Sequence, residues 1–330
     1  MTKKITSPSR GKLKIGVLFG GKSAEHEVSI NSANNIIKAL DKNKYQVIPI
    51  KIDKKGKFDL NFIKKMDVIF PVLHGPYGED GSMQGLLKIL NLPFVGPGVL
   101  GSAVSMDKDI MKKLFRDAKI PIGKFITVYS GEKLDFTKIK KTLGLPMFIK
   151  PANMGSSVGI NKIKNEKEFL IGIKDAFQYD SKVVIEENII GQEIECSVLG
   201  NENPMASIPG EIVPIKDFYS YEAKYIDEDG ATLLIPARLS KVVIKKVQDM
   251  AIKVFQVLNC EGMGRVDFFV KKNGEVMVNE INTIPGFTNI SMYPKLWEAS
   301  GISTTKLLDR LIDLAIERFE REIKLKTTVE

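Results

Sequence analysis

Strand-like and helix-like segments alternate along the N-terminal part of this 330-residue chain, and this alternation constrains the fold more than any other feature. Short apolar runs typical of strands occur at residues 14–19, 45–52, 66–73 and 92–96. Segments with helical periodicity lie between them, at 29–40 and 83–90. The series predicts an α/β fold with a doubly wound parallel sheet, in which ligands bind outside the carboxyl ends of the strands.

The rest of the chain predicts α+β units. We expect three domains, over residues 12–97, 98–187 and 188–330. The polar, aromatic-rich stretch 217–231 has no clear period and is long for a connection, so we interpret it as a functional lid. The later strand and helix signals lie at 124–128, 146–151, 166–177, 182–187, 193–199, 206–213, 241–258 and from about 304.

Composition argues against several functional classes. The 49 basic and 40 acidic residues give a net charge of +9, but the lysines are dispersed, which favours a solvated surface over a nucleic-acid partner. Cys196 and Cys260 lack CxxC partners and no histidine flanks a cysteine, so neither a zinc site nor a disulfide is indicated. We find no signal-peptide pattern and no run of about 18 apolar residues. A cytosolic protein without a membrane span is expected.

Three short sequence motifs match patterns of other protein classes, but the residues around each motif argue against that class. GVLFGGKS (16–23) fits a phosphate loop, although residues 17–19 continue an apolar strand. GPGVLG (96–101) fits a dinucleotide fingerprint, although Pro97 removes an amide donor and the strand is not the first of its unit. SMDK (105–108) fits a penicillin-interacting enzyme, although the chain contains neither S-D-N nor K-T-G.

A hairpin is predicted in GRVDFFVKKNGEVMVNEIN, residues 264–282. Asn273 and Gly274 separate two apolar runs, which is typical of a two-residue type I′ turn. If Lys272 faces Glu275 across this turn, the register of the whole hairpin follows. Three apolar side chains would then share one face with the polar ones, namely Phe269, Val276 and Val278.

In that register Asp267 lies opposite Glu280, and Arg265 lies opposite Asn282, on one face of the sheet. Carboxylates so close are destabilising unless a cation intervenes. Oxygen ligands from Asp267, Glu280 and Asn282 suit a hard ion such as Mg²⁺, and Arg265 could hold phosphate or an oxyanion. The alternative is a solvated edge hairpin with ordinary charges.

A second candidate phosphate site is FIKPANMGSSVGI, residues 148–160. Lys150 ends an apolar strand, and the glycines and serines after it allow backbone amides to approach phosphate oxygens. A simple turn is the alternative. Glu186 and Glu193 in the next strands could accept hydrogen bonds from an adenine amine and ribose hydroxyls, or could be solvated charges.

Seven segments in order resemble the D-alanine–D-alanine ligases of the ATP-grasp superfamily over roughly residues 14–320. They are 20–29, 72–85, 98–108, 150–159, 221–225, 264–267 and 279–288. The resemblance implies an ATP-grasp fold and ATP-dependent ligation of two D-alanine molecules through an acyl phosphate, in peptidoglycan precursor synthesis. It also implies that the N-terminal domain binds substrate, and that the protein is a homodimer with two bound Mg²⁺ or Mn²⁺ ions.

The resemblance further implies a role for each matching residue. Metal ligands would be Asp267, Glu280 and Asn282. ATP would be bound by Lys108, Lys150, Ser156, Ser157, Glu186, Ile189 and Glu193, with Arg265 also on phosphate. Glu25 would bind the first substrate's ammonium group near His74, and Arg265 with the Gly286 amide would stabilise the oxyanion. The second substrate's carboxylate would bind Lys224, Ser291 and Met292, while Tyr225 and Ser156 tie the lid to Glu25.

The second substrate is the point on which relatives differ. YEAKY (221–225) resembles the form that prefers D-alanine, so the dipeptide product is expected. A ligase that uses D-lactate, D-serine or another carboxylate and nucleophile is the alternative of the same class. A nucleotide- or nucleic-acid-binding module without turnover is the alternative of a different class.

Overall fold

The computed structural model describes residues 11–214 and 231–326. The predicted lid, with Lys224 and Tyr225, lies outside the described residues except for its last position. The described strands are β1 Leu13–Gly20, β2 Tyr45–Ile52, β3 Val68–Val72, β4 Phe125–Tyr129, β5 Met147–Pro151, β6 Asn161–Ile163, β7 Lys182–Glu187, β8 Gln192–Gly200, β9 Met205–Ala206, β10 Gly210–Pro214, β11 Ala231–Leu234, β12 Gly262–Val270 and β13 Val276–Asn282. The described helices are α1 His26–Ala39, α2 Leu60–Ile63, α3 Ser82–Ile89, α4 Val99–Met106, α5 Lys108–Asp117, α6 Phe136–Leu143, α7 Glu166–Ala176, α8 Lys241–Val257, α9 Met292–Ala299 and α10 Thr304–Glu322.

The N-terminal sheet is parallel, with strand order β2-β1-β3. Alternate side chains of β1 face opposite layers because side chains repeat every two residues along a strand. Ile15 and Val17 pack in the core that α1 and α10 cover, whereas Leu18 packs on the other face beside Leu87 of α3. Both faces are therefore covered by helices, and residues 17–19 are buried strand residues.

The strand expected at 92–96 is reduced to a single bridge between Phe94 and Ile69. Pro93 has no N–H to donate, which interrupts a ladder. The carbonyls of Phe94 and Gly96 accept hydrogen bonds from the buried guanidinium of Arg318 on α10. These carbonyls therefore connect the end of the N-terminal sheet to the last helix.

Antiparallel sheets form the rest of the described chain. One has strand order β4-β7-β5-β6 and packs against α6 and α7. The other has order β11-β10-β8-β12-β13, with β9 beside β8. Helix α8 covers one face of this sheet, and α9 covers the other, where Tyr293 donates a hydrogen bond to the Val198 carbonyl. Each sheet takes its strands from one of the three expected domains, whose boundaries stay predictions.

The turn between β12 and β13 differs from the expected type I′ turn. Val270 pairs with Val276 and the Lys271 N–H donates to the Glu275 carbonyl, so the loop contains three residues, 272–274, instead of the expected two. A type I′ turn needs positive φ at both central residues, and of the pair Asn273 and Gly274 only Gly274, at +78°, has it. The Lys271 carbonyl accepts from the Gly274 N–H at 2.9 Å. The arrangement is a longer loop with glycine in the left-handed position.

A β-bulge then restores the expected pairing at the polar end of the hairpin. Phe268 pairs with Val278 but Asp267 pairs with Glu280, which leaves Asn279 as the extra residue. The predicted pairing of Asp267 with Glu280 and of Arg265 with Asn282 is confirmed.

The bulge also changes which side chains share a face, because a shift of one residue exchanges the two faces of a strand. Before the bulge, Val276 and Val278 point into the core beside Phe268. After it, Ile281 enters the same core while Glu280 points away. The expectation that Val276 and Val278 lie on the polar face is wrong.

Both cysteines, Cys196 and Cys260, are buried free thiols in the structure. Burial raises the pKa of each thiol to about 12, although nearby serine hydroxyls partly oppose this shift. Within residues 11–214 and 231–326, no helix combines the length and the apolar character needed to cross a membrane.

Candidate active site

Two cavities meet beside the polar face of β12 and β13. The carboxylate cavity, about 110 Å³, is lined by Glu25, Glu79, Glu195 and Glu280 together with Arg265. The lysine cavity, about 280 Å³, is lined by four lysines. These are Lys108, Lys112, Lys150 and Lys162. The cavities share part of their wall, formed by Lys108, Met154, Gly155, Ser156 and Glu280.

Glu25 lies at the carboxyl end of β1, at the N-cap of α1, where parallel-sheet proteins usually bind ligands. Its buried carboxylate accepts a hydrogen bond from the Ser156 hydroxyl. Ser156 and Ser157 both have positive φ, at +51° and +61°, so successive amides of this loop turn towards one side. The loop between β5 and β6 therefore connects the central sheet, β4-β7-β5-β6, to the loop that follows β1 of the N-terminal sheet.

Glu79 is a residue of the carboxylate cavity that sequence reasoning missed. Its carboxyl accepts from the Gly75 N–H at 2.7 Å and the Ile284 N–H at 3.3 Å. Burial raises the pKa of Glu79, and the charge of Glu25 raises it further. A signal was available, because Glu79 lies in the loop that follows β3, at the same sheet edge as Glu25.

His74 lies in that loop as well but lines a different cavity, of about 230 Å³, together with Leu73 and Tyr77. Burial lowers the pKa of its imidazole to about 4, and a hydrogen bond with the Ile284 backbone only partly offsets this. Its Nε2 has no hydrogen-bond partner among the described residues. His74 is therefore a neutral, buried imidazole at neutral pH.

Arg265 is held in place by two carboxylates. Its Nε lies 3.0 Å from Glu195 Oε2. It also forms two hydrogen bonds with Asp267, at 2.8 Å to Oδ1 and 2.7 Å to Oδ2. Glu195 was missed by sequence reasoning, although it is paired with Asp267 across β8 and β12. A bidentate guanidinium–carboxylate pair fixes orientation, so Arg265 is preorganised to face the cavity.

The residues expected to hold a metal ion offer suitable oxygen donors. Asp267 and Glu280 are cross-strand neighbours, and Asn282 is next on the same face. The buried Oδ1 of Asn282 has no hydrogen-bond partner in the described part of the chain. Two carboxylates and one amide oxygen fit Mg²⁺ or Mn²⁺, which complete their coordination with water and phosphate oxygens.

The start of α9 forms the far wall of the carboxylate cavity. Gly286, Ser291 and Met292 all line it. The Ser291 hydroxyl does not cap α9 but accepts from the Thr288 N–H at 2.9 Å. A Cβ on Gly286 would lie 2.8 Å from this hydroxyl, so a side chain there would require the Ser291 side chain to move. Because the N-terminal end of a helix carries a partial positive charge, the start of α9 can attract a carboxylate in this cavity.

The lysine cavity contains a buried ion-pair network centred on Glu186. Lys150 Nζ lies 2.9 Å from Glu186 Oε2, and Lys112 Nζ lies 3.2 Å from Oε1. Burial would raise the pKa of Glu186, but the two ammonium groups hold it at about 2. Burial lowers the pKa of Lys108, while Glu280 opposes that shift. Lys112 was missed, although it follows Lys108 by four residues on α5.

The expected site residues fall into four groups in the structure. The carboxylate cavity is lined by Glu25, Lys108, Ser156, Arg265, Glu280, Asn282, Gly286, Ser291 and Met292. The lysine cavity is lined by Lys108, Lys150, Ser156, Ser157, Glu186, Ile189, Glu193 and Glu280. Asp267 lines neither of these cavities but forms an ion pair with Arg265 and is paired with Glu280 across the strands, and His74 lines the separate cavity. Lys224 and Tyr225 lie outside the described residues.

Comparison with known proteins agrees with this architecture. Residues 14–64 and 59–97 match the family model described as D-ala D-ala ligase N-terminus, and residues 114–313 match D-ala D-ala ligase C-terminus. The chain is 51% identical to a D-alanine–D-alanine ligase of Oceanobacillus iheyensis, over 96% of this chain and 99% of that one.

Solved structures show the same fold. The D-alanine–D-alanine ligase of Bacillus anthracis complexed with ATP superposes with a TM-score of 0.82 at 34% identity, covering 94% of this chain and 99% of that one. A D-Ala:D-Ser ligase of Enterococcus faecalis gives a TM-score of 0.84 at 35% identity, covering 92% and 100%. The expected α/β class and ATP-grasp fold are confirmed. The chain belongs to the D-alanine–D-alanine ligase family.

Proposed function

We propose that this chain joins two D-alanine molecules into D-alanyl-D-alanine while ATP becomes ADP and phosphate. The observation that carries this proposal is the wall shared by the two cavities. A nucleotide in the lysine cavity and amino acids in the carboxylate cavity would meet at Lys108, Ser156 and Glu280. The full-length similarity to D-alanine–D-alanine ligases supports the same conclusion.

ATP binding is assigned to the lysine cavity. Lys108, Lys150 and the turned amides of Ser156 and Ser157 would bind phosphate oxygens. The remaining lining residues Glu186, Ile189 and Glu193 would hold adenosine, with Glu186 also fixing Lys150 through their ion pair. Two Mg²⁺ or Mn²⁺ ions, held by Asp267, Glu280 and Asn282, would offset charge on the phosphoryl oxygens.

The first step activates one D-alanine. Glu25 would bind its ammonium group, with His74 in the adjacent loop. The substrate carboxylate attacks the terminal phosphorus of ATP, so a new carbon-bound oxygen–phosphorus bond forms and the bond to ADP breaks. The acyl phosphate is sensitive to water, which explains the need for a closed cavity. We assign the lid role to 217–231, with Tyr225 linked to Ser156 and Glu25.

The second step forms the peptide bond. The amine of the second D-alanine attacks the activated carbonyl carbon, the bond between that carbon and the phosphate oxygen breaks, and the leaving phosphate takes up the proton that the amine loses. Arg265, which Glu195 and Asp267 hold in place, would stabilise the oxyanion together with the Gly286 amide. Ser291 and Met292 at the start of α9, with Lys224, would receive the second carboxylate.

The biological setting completes the proposal. We propose that the protein acts in the cytoplasm, in peptidoglycan precursor synthesis, and that it forms a homodimer. Its three proposed domains cover residues 12–97, 98–187 and 188–330. No nucleic-acid or membrane partner is included. D-lactate or D-serine as second substrate is the alternative, because one similar structure is named a D-Ala:D-Ser ligase.

The test incubates the purified chain with ATP, Mg²⁺ and D-alanine, measures ADP and phosphate, and separates products by chromatography. D-serine and D-lactate compete in parallel, and L-alanine serves as the stereochemical control. We expect D-alanyl-D-alanine in equal amount to ADP. ADP release that is indifferent to D-alanine, or the absence of any dipeptide, would refute the proposal.

A matched pair of variants locates the reaction in the carboxylate cavity. Glu25→Gln removes the proposed ammonium ligand and should abolish dipeptide formation. Glu27→Gln changes an exposed glutamate two residues away that pairs with Lys54, and it should leave turnover unchanged. Equal activity of the two variants would contradict the role of Glu25.

A further inference from the structure

Lys112 is a buried charge without a role in the reaction described above. Its side chain is 3% exposed and lines the lysine cavity from α5. A buried ammonium group is costly unless it is paired, so its retention requires an explanation. The next residue, Lys113, provides a contrast, because it is 45% exposed and pairs with Asp109 at 2.8 Å.

The first contact of Lys112 is with Glu186. The two lysines Lys112 and Lys150 approach different oxygens of this carboxylate, at 3.2 and 2.9 Å. Glu186 is therefore held from two sides, and its orientation fixes where Lys150 points. Removal of one partner from a buried charge pair leaves the other incompletely compensated.

The second contact of Lys112 is with the β-bulge of β13. Its Nζ lies 3.5 Å from the backbone carbonyl oxygen of Asn279, the extra residue that the bulge inserts. The bulge places Glu280 on the cavity face and Ile281 in the core. A bulged residue lies outside the regular ladder, so a cation beside its carbonyl stabilises the bulged conformation.

We infer that Lys112 is a positioning residue that couples the nucleotide site to the metal site. It acts through Glu186 on Lys150 and through the Asn279 carbonyl on Glu280. The inference rests on the proposed function, since it concerns ATP and divalent metal at these cavities. It assigns Lys112 no contact with a reacting atom.

The test uses Lys112→Met, which keeps most of the unbranched side chain and removes the charge, with Lys113→Met as the matched control. Dissociation constants for ADP are measured by calorimetry with and without Mg²⁺, and KM values for ATP and D-alanine are measured separately. Circular dichroism and thermal melting verify folding. If Lys112→Met does not fold, Lys112→Gln replaces it.

We expect the ADP dissociation constant with Mg²⁺ to rise about tenfold in Lys112→Met and to change less than about twofold in Lys113→Met. The tightening of ADP binding by Mg²⁺ should be weaker in Lys112→Met. KM for ATP should rise more than KM for D-alanine. A lower melting temperature with unchanged nucleotide affinity and Mg²⁺ dependence would overturn the inference, because it would show a purely structural role.

A double-mutant cycle separates positioning from direct contact. In the background of Glu186→Gln, the additional loss caused by Lys112→Met should shrink to less than about threefold. An undiminished loss would show that Lys112 does not act through Glu186, which also overturns the inference. Turnover by the unmodified protein tests the proposed ligase function without any variant. Failure of that function and failure of the inference about Lys112 therefore give different results.

Discussion

The Ser156 hydroxyl donates a hydrogen bond to the Glu25 carboxylate, although 131 positions separate the two residues in the sequence. The contact joins the first loop of the N-terminal sheet to the glycine- and serine-containing loop of the central sheet. Both residues line the carboxylate cavity. The position of the proposed ammonium ligand is thereby linked to that of the proposed phosphate loop.

Ser156→Ala should lower kcat/KM for D-alanine about tenfold to a hundredfold, because a hydrogen bond to a charged group contributes about 1.5–3 kcal/mol. Steady-state kinetics at saturating ATP measures this. Ser157→Ala is the matched comparison, since both residues have positive φ and the backbone cost is similar. Ser157 lines only the lysine cavity, so its variant should change KM for ATP instead.

Glu280→Gln should reduce turnover by more than about a hundredfold, because it removes a charged oxygen ligand that is close to transferring phosphate. Folding should change little, since the change also relieves repulsion with Asp267 across the strands. ADP titrations with and without Mg²⁺ give a second measurement. Glu275→Gln, at an exposed glutamate of the same hairpin, is the control. Activity above a few per cent in Glu280→Gln would contradict the metal role.

His74 should make the folded protein sensitive to mild acid. Its folded pKa of about 4 is below the ordinary value of 6.5, so the unfolded chain binds more protons between these values. The contribution is therefore fully present above pH 6.5 and is lost as pH falls to 4, by about 3 kcal/mol. Urea unfolding at several pH values, for the unmodified protein and His74→Asn, measures it. Parallel pH curves for the two proteins would refute this assignment.

Arg318→Met should destabilise the protein by about 3 kcal/mol. The guanidinium is buried, donates to the Phe94 carbonyl at 2.7 Å, and lies 4.3 Å from the Phe94 ring centroid. Its removal leaves buried carbonyls of Phe94 and Gly96 without their donor. Arg321→Met on the same helix is the control, since its 36% exposed side chain forms surface ion pairs worth less than about 1 kcal/mol. Denaturant unfolding compares the two, and equal losses would contradict the burial argument.

Local patterns in the sequence predicted much of the fold. The strands around residues 45–52 and 182–187 are where the apolar runs indicate, because strand periodicity depends on neighbouring residues alone. Helices α2, α4, α6 and α9 were not predicted. None is longer than eight residues, and α9 contains Pro294, which is tolerated in a first helical turn but disguises the helical pattern.

The candidate site was predictable in proportion to how local its contacts are. The Asp267–Glu280 pair belongs to one hairpin, and its predicted pairing holds because the longer turn and the bulge at Asn279 offset each other. The bulge at Asn279 was not predictable, because packing of Ile281 into the core determines it. Glu79 in the loop after β3, Lys112 on α5 and Glu195 in β8 come from segments distant in sequence. The position of Glu79 after a parallel strand indicated its place, but no pattern within their own segments indicates that Lys112 and Glu195 lie at the same cleft.

The reactivity of the two buried cysteines can be used to measure local opening of the protein around them. Cys196 lies in β8, next to β12, and Cys260 lies between α8 and β12. Alkylating reagents attack the thiolate, which is almost absent at neutral pH in the folded protein. Modification therefore requires that the sheet β11-β10-β8-β12-β13 or helix α8 opens locally. The rate of modification then measures how often this opening occurs. Ligands that hold the sheet together should extend the lifetime of the unmodified thiols.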